Sequence, residues 1–257
     1  MKHNPWLMRR PGGPRQMRLF CFSYAGGSAA AFMPWRARLA PSIELCAVEL
    51  PGRGMRMAED CYVSLSALVE DLAEVIANER DLPFAFFGHS LGALIAFELA
   101  RYCMGNHLPM PGHLFVSGCA APQQRSPAAR RLHELSDDAL IDVLRAYNGT
   151  PPAVLAHQEL MAMVLPTIRA DFALVADHQY RPGPRLGIPI TALAGKSDEL
   201  VSTRIDGWKD ETTGPCRIEW FEGDHFFIQP QQVAVIACLN AELACPRFSS
   251  ARAHGAA

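Results

Sequence analysis

The pentapeptide Gly88-His89-Ser90-Leu91-Gly92 sets a serine between two glycines, and its flanks give that spacing chemical meaning. The apolar run Phe84-Ala85-Phe86-Phe87 precedes it and the amphipathic stretch 91–103 follows, so the order reads strand, tight turn, helix. A turn this sharp brings backbone close to neighbouring elements, which favours glycine on either side, and it holds the serine Oγ up at a helix N-terminus. Ser90 is therefore the candidate nucleophile. The plainer reading, a glycine-bounded turn with Ser90 as an N-cap, asks nothing of the rest of the chain. The catalytic reading asks for a base, an acid and two oxyanion donors.

The base must take the serine proton, and the acid must hold the tautomer of the base. In an architecture built on such an elbow the acid follows a late strand and the histidine follows the last one. Of nine histidines, only His225, in Phe221-Glu222-Gly223-Asp224-His225-Phe226-Phe227, lies between the last apolar run and the C-terminal helical stretch. It is the candidate base, and activity is expected to rise with pH as its ring loses a proton. His89 is expected to pack the elbow. His3, His107, His113, His133, His157, His178 and His254 read as surface or satisfied core residues.

For the acid, Asp198 ends Ala194-Gly195-Lys196-Ser197-Asp198, a polar loop directly after the apolar run 188–193. Asp206 and Asp210 fall in a segment of helical spacing, and Asp224 adjoins His225 too closely to reach its ring easily. Gly195-Lys196-Ser197 could close a phosphate-binding loop, but the glycine that motif needs five residues earlier is Ile190. The charge that develops on an attacked carbonyl calls for two backbone N–H donors. Leu91, directly after the serine, offers one. The loop Phe22-Ser23-Tyr24-Ala25-Gly26-Gly27-Ser28 offers the other, from Ala25 first and Tyr24 second, and Tyr24 is also expected to touch substrate.

These residues need a scaffold, and 257 residues, 49% of them hydrophobic, suffice for one large core. Short apolar runs at 19–22, 43–50, 84–87, 113–117, 188–193 and 218–221 read as buried parallel strands. Between them, 28–39, 65–76, 91–103 and 231–243 have helical spacing; in the second, Leu65, Leu68, Val69, Leu72, Val75 and Ile76 share one face. The alternation predicts an α/β protein with a mostly parallel central sheet covered by helices on both faces. From about 120 to 184 no strand is apparent, while 137–147 and 154–178 are helical, so a helical insertion is expected there. Leu144 on one of its faces and Met161 on another are expected to line a substrate chamber. The tails 1–16 and 246–257 carry no pattern and are expected to be mobile.

Composition narrows the function classes. A net charge of −2 supplies no field for nucleic acid, and no apolar run is long enough to span a bilayer. The eight cysteines are scattered without a C-x-x-C pair, no H-E-x-x-H occurs, and no metal site is expected. With Arg9, Arg10, Pro11 and Pro14 where a secretion signal would be apolar, a cytoplasmic setting is expected.

Taken together, the chain resembles the type II thioesterases that accompany polyketide synthases and nonribosomal peptide synthetases, members of the α/β-hydrolase superfamily. The resemblance rests on Tyr24-Ala25-Gly26-Gly27, Leu50-Pro51-Gly52-Arg53-Gly54, Gly88-His89-Ser90-Leu91-Gly92-Ala93, Leu165-Pro166-Thr167-Ile168-Arg169-Ala170-Asp171-Phe172, Gly195-Lys196-Ser197-Asp198 and Gly223-Asp224-His225-Phe226-Phe227. It implies an α/β-hydrolase fold, a Ser90–Asp198–His225 triad and a mobile helical lid over 120–184. It also implies hydrolysis of acyl groups from the phosphopantetheine arm of an acyl or peptidyl carrier protein. The carrier brings the arm, so no cofactor is expected of this chain, which is expected to act as a monomer. The family usually has proline where this chain has Ser23, and often methionine where it has Leu91. Carrier proteins are usually acidic, which draws attention to Arg125, Arg130, Arg131, Arg53 and Arg56; an ordinary solvated charge cluster is the alternative.

Overall fold

Seven strands form the sheet, and along its central strands side chains alternate between two apolar layers. The computed structural model describes residues 4–9, 15–125, 127–201 and 204–244. The strands are β1 (Leu7–Met8), β2 (Met17–Phe22), β3 (Ile43–Val48), β4 (Phe84–His89), β5 (Leu114–Ser117), β6 (Ile190–Gly195) and β7 (Cys216–Phe221), in the order β1-β3-β2-β4-β5-β6-β7. Every pairing is parallel except β1 with β3. Along β4, Phe84 and Phe86 enter one layer with α1 (Leu65–Ala77) and α2 (Leu91–Gly105). Ala85 and Phe87 enter the opposite layer with Phe32, Trp35 and the helix that closes the chain, Gln232–Leu243. Period-two alternation in a sheet covered on both faces produces this division.

Three local departures from the sequence expectations have physical causes. The stretch 28–39 forms a 3₁₀ segment, Ala29–Ala37, rather than an α-helix; Pro34 within it has no N–H for an α-helical ladder. The stretch 154–178 is divided. A short α4 (Pro152–Leu155) ends before α5 (Gln158–Asp177), whose N-cap His157 accepts the N–H of Leu160 on its ring nitrogen. Within the supposed N-terminal tail, Leu7 and Met8 pair with Val48 and Ala47, and Trp6 lies 3.9 Å beneath the guanidinium of Arg56. That part of the expected mobile tail is thus a sheet edge. Residues 1–3, 10–14 and 245–257 lie outside the described residues.

The chain between β5 and β6 forms the expected helical insertion, with α3 (Asp137–Tyr147), α4 and α5. It carries its own apolar cluster, in which Leu140, Leu144, Leu155, Met161, Leu165, Ile168 and Phe172 are buried together. No helix among the described residues is long and apolar enough to cross a membrane. The C-terminal helix Gln232–Leu243 is α6.

Candidate active site

The turn from β4 into α2 is as tight as its sequence requires. Ser90 sits at φ 56°, ψ −114°, outside the usual regions for a residue with a side chain, and its N–H is tied to the carbonyl of Ser117 at 2.8 Å. A Cβ at Gly88 would overlap the Gly92 carbonyl, and one at Gly92 would overlap the Phe22 carbonyl. The two glycines are therefore fixed by close backbone approach, and the strained serine between them is held by the strand and helix on either side.

The loops after β6 and β7 bring two further side chains to this turn. His225 Nε2 lies 3.0 Å from Ser90 Oγ, and its Nδ1 lies 2.8 Å from Asp198 Oδ2. Asp198 is buried, and its second oxygen accepts the N–H of Leu200. Two of the other aspartates considered from sequence are engaged elsewhere. Asp206 pairs with Lys209 at the surface, and Asp224 accepts from its own loop and from Asn148. An imidazole held between a carboxylate and a hydroxyl can take the hydroxyl proton while its other nitrogen stays protonated.

His89 packs beneath this arrangement, fully buried, with Nδ1 2.9 Å from Ser117 Oγ and its ring 5.2 Å from that of His225. Burial holds its pKa well below that of an ordinary histidine, and charge on His225 lowers it further. An unfolded histidine takes up its proton near pH 6.5. Below that pH the unfolded chain therefore binds a proton that folded His89 refuses, and stability falls by up to about 1.4 kcal/mol per pH unit. His89→Gln, which can still hydrogen bond Ser117, should flatten this decline between about pH 6.5 and 5. Urea unfolding of both proteins across that range checks it; parallel slopes would contradict the assignment.

On the loop after β2, the N–H of Gly26 is donated to Asp171 Oδ2 and that of Gly27 to the Tyr24 carbonyl. The N–H groups of Ala25 and Tyr24 have no such partner among the described residues. Ala25 lines the cavity that reaches Ser90, and Leu91 opens α2 beside it. Ser23, where the resembled family usually has proline, buries a hydroxyl with no hydrogen-bond partner. A position that gains nothing from its hydroxyl suits proline well.

A buried clasp secures this loop. Asp171, on α5, takes Arg53 Nη1 and Nη2 at 2.7 Å each, and Arg53 also donates to the Gly27 carbonyl at 3.1 Å. Sequence reasoning drew attention to Arg53 and Arg56 for an acidic partner, with a solvated charge cluster as the alternative, but both are buried. Arg53 is committed to Asp171, and Arg56 to Glu59 and the Glu49 carbonyl. Asp171→Ala would leave Arg53 buried without its counter-charge and should destabilise the protein by about 3–5 kcal/mol, measured by denaturant unfolding. Of the other arginines, Arg131 is exposed and paired with Glu134, whereas the side chain of Arg130 lies outside the described residues.

The insertion meets the serine through a cavity of about 370 Å³ that Tyr24, Leu144, Tyr147, Val164, Phe172 and Phe226 help to wall. Of the residues expected to meet substrate, Tyr24 and Leu144 line this cavity. Met161 does not. It is buried in the insertion's own cluster and forms no part of the cavity wall, while Val164, on the next turn, does. Met161→Ala should accordingly cost about 2–5 kcal/mol of stability and leave chain-length preference alone. Thermal unfolding beside an acyl-length series checks both halves. Tyr147, Phe172 and Phe226 were not expected from sequence as cavity walls. The approach of Gly149 to the Phe226 ring, which leaves no room for a Cβ, places the turn after α3 against the histidine loop.

Comparison with known proteins gives a consistent result. The family model described as a thioesterase domain matches residues 17–243. Gramicidin S biosynthesis protein GrsT of Aneurinibacillus migulanus is 40% identical over 243 residues, covering 93% of this chain and 94% of that protein. Thioesterase PikA5 of Streptomyces venezuelae is 37% identical, covering 88% and 81%. The solved structure of the type II thioesterase BorB from the borrelidin biosynthetic cluster superposes with a TM-score of 0.86 at 35% identity, covering 95% of this chain and 99% of that one.

Proposed function

The chain belongs to the thioesterase family and has its α/β-hydrolase fold, and from that premise we propose that it hydrolyses acyl groups from the phosphopantetheine arm of carrier proteins in polyketide or nonribosomal peptide biosynthesis. The observation that carries this reading is the placement of Ser90 Oγ 3.0 Å from His225 Nε2, beneath the helical insertion.

Ser90 Oγ attacks the thioester carbonyl as His225 Nε2 takes its proton, and Asp198 holds the ring through Nδ1–H. The oxyanion is received by the N–H of Leu91 and that of Ala25, with Tyr24 as the alternative to Ala25. His225 returns the proton to the leaving thiolate, then deprotonates the water that attacks the acyl-enzyme and passes that proton to Ser90 Oγ as the acyl group leaves as the acid. The insertion between β5 and β6 serves as the lid, with Tyr24 and Leu144 against the substrate. The setting is the cytoplasm, which suits the free cysteines among the described residues, and the acting unit is a monomer.

Rates for one acyl group on a carrier protein, on a small free thiol and on a simple alcohol test this reading. It expects the carrier-bound thioester to be cleaved with the highest kcat/KM. Preference for the oxygen ester would make the protein an esterase, and turnover of none would make it a binding protein of the same fold.

A further inference from the structure

Two cavities diverge from Ser90, and Tyr147, Phe172 and His225 line both. The first, of about 370 Å³, runs along the Tyr24 loop, and no charged side chain lines it among the described residues. The second, of about 420 Å³, runs past Leu91 and Cys119 and carries Arg125, Arg204 and the exposed carboxylate of Glu199. Neither arginine forms an ion pair among the described residues. Arg125 Nη1 is buried without a hydrogen-bond partner. Apart from that nitrogen, the guanidinium lines a cavity that ends at the nucleophile and has no counter-charge of its own among the described residues, which suits it to acceptor groups of a ligand through charge-assisted hydrogen bonds.

A carrier-bound thioester has two limbs, one on each side of the carbonyl that Ser90 attacks. The acyl chain needs apolar walls. The leaving limb carries amide carbonyls and a phosphate, all of them acceptors. We propose that the Arg125 cavity takes the phosphopantetheine limb, with Arg125 donating to its acceptor oxygens, and that the Leu144 cavity takes the acyl chain. Arg204 adds a second cation to the same wall, opposed by Glu199 alone among the lining residues. The assignment rests on the thioesterase reading and adds to it a direction for the substrate and a specificity-determining arginine.

The test measures kcat/KM for one acyl group on two leaving groups: phosphopantetheine, and N-acetylcysteamine, which keeps only the thiol end of the limb. Arg125→Gln and Arg125→Ala should each lower the ratio of the first to the second by about ten- to a hundredfold, the value of a hydrogen bond to a charged group. Leu144→Phe should lower both alike and move the preference towards shorter acyl chains. Turnover of the truncated thioester reports that each variant is folded. An unchanged ratio in both arginine variants would overturn the proposal. So would a loss that follows the acyl group, with carboxyacyl chains penalised against alkanoyl chains on the same N-acetylcysteamine, which would reverse the two limbs. If the unaltered protein cleaves neither thioester, the thioesterase reading itself fails, a result distinct from either of these.

Discussion

Ser90→Ala should lower kcat by about 10⁴–10⁶ while the protein stays folded. Alanine keeps the Cβ that already occupies this strained position, so the β4 to α2 turn and its bond to Ser117 need not change. The substitution removes the Oγ 3.0 Å from His225 Nε2 and with it the covalent route. Binding and the oxyanion donors remain, so some acceleration over water should survive. Single-turnover hydrolysis beside a thermal melt would decide it. Near-native turnover by a folded Ser90→Ala protein would end the triad reading.

Asp198→Asn should cost on the order of 10⁴ in kcat. The carboxylate receives the Nδ1 proton of His225 at 2.8 Å, which leaves Nε2 free to accept from serine. An amide that presents its NH₂ to Nδ1 would favour the opposite tautomer and put a proton on the nitrogen that must accept one. Asp206→Asn is the matched comparison, because Asp206 pairs with Lys209 at the surface and should change kcat little. Steady-state kinetics of the two variants checks the assignment. A crippled Asp206→Asn beside a mild Asp198→Asn would mean that the acid is misassigned.

The residues proposed for catalysis were legible because each follows a strand, and buried strands announce themselves as short apolar runs. Small shifts of those runs did not matter: β6 spans Ile190–Gly195 rather than 188–193, yet Asp198 still lies in the loop beyond it. What a helical face packs against was less legible. Spacing marks Met161 and Val164 as apolar neighbours on one helix, but it cannot tell the insertion's own core from a cavity wall, because both bury the same residue types. Arg53 was misread for a related reason. Its partner Asp171 lies 118 residues away, so a charge that looks solvated in its local sequence is buried by an element joined much later. Two residues are also too few to show a period, which hid β1.

The most direct test of the central claim follows the return of an acyl-carrier protein to its free holo form by intact mass, using enzyme before and after labelling with a fluorophosphonate that captures activated serines. The account predicts that unlabelled enzyme restores the holo-carrier. It further predicts that the label forms one adduct, on the peptide carrying Ser90, and that turnover falls in proportion to the fraction labelled. Undiminished turnover by enzyme fully labelled at Ser90, or an acyl-carrier left intact by unlabelled enzyme that cleaves the matching oxygen ester, would contradict it.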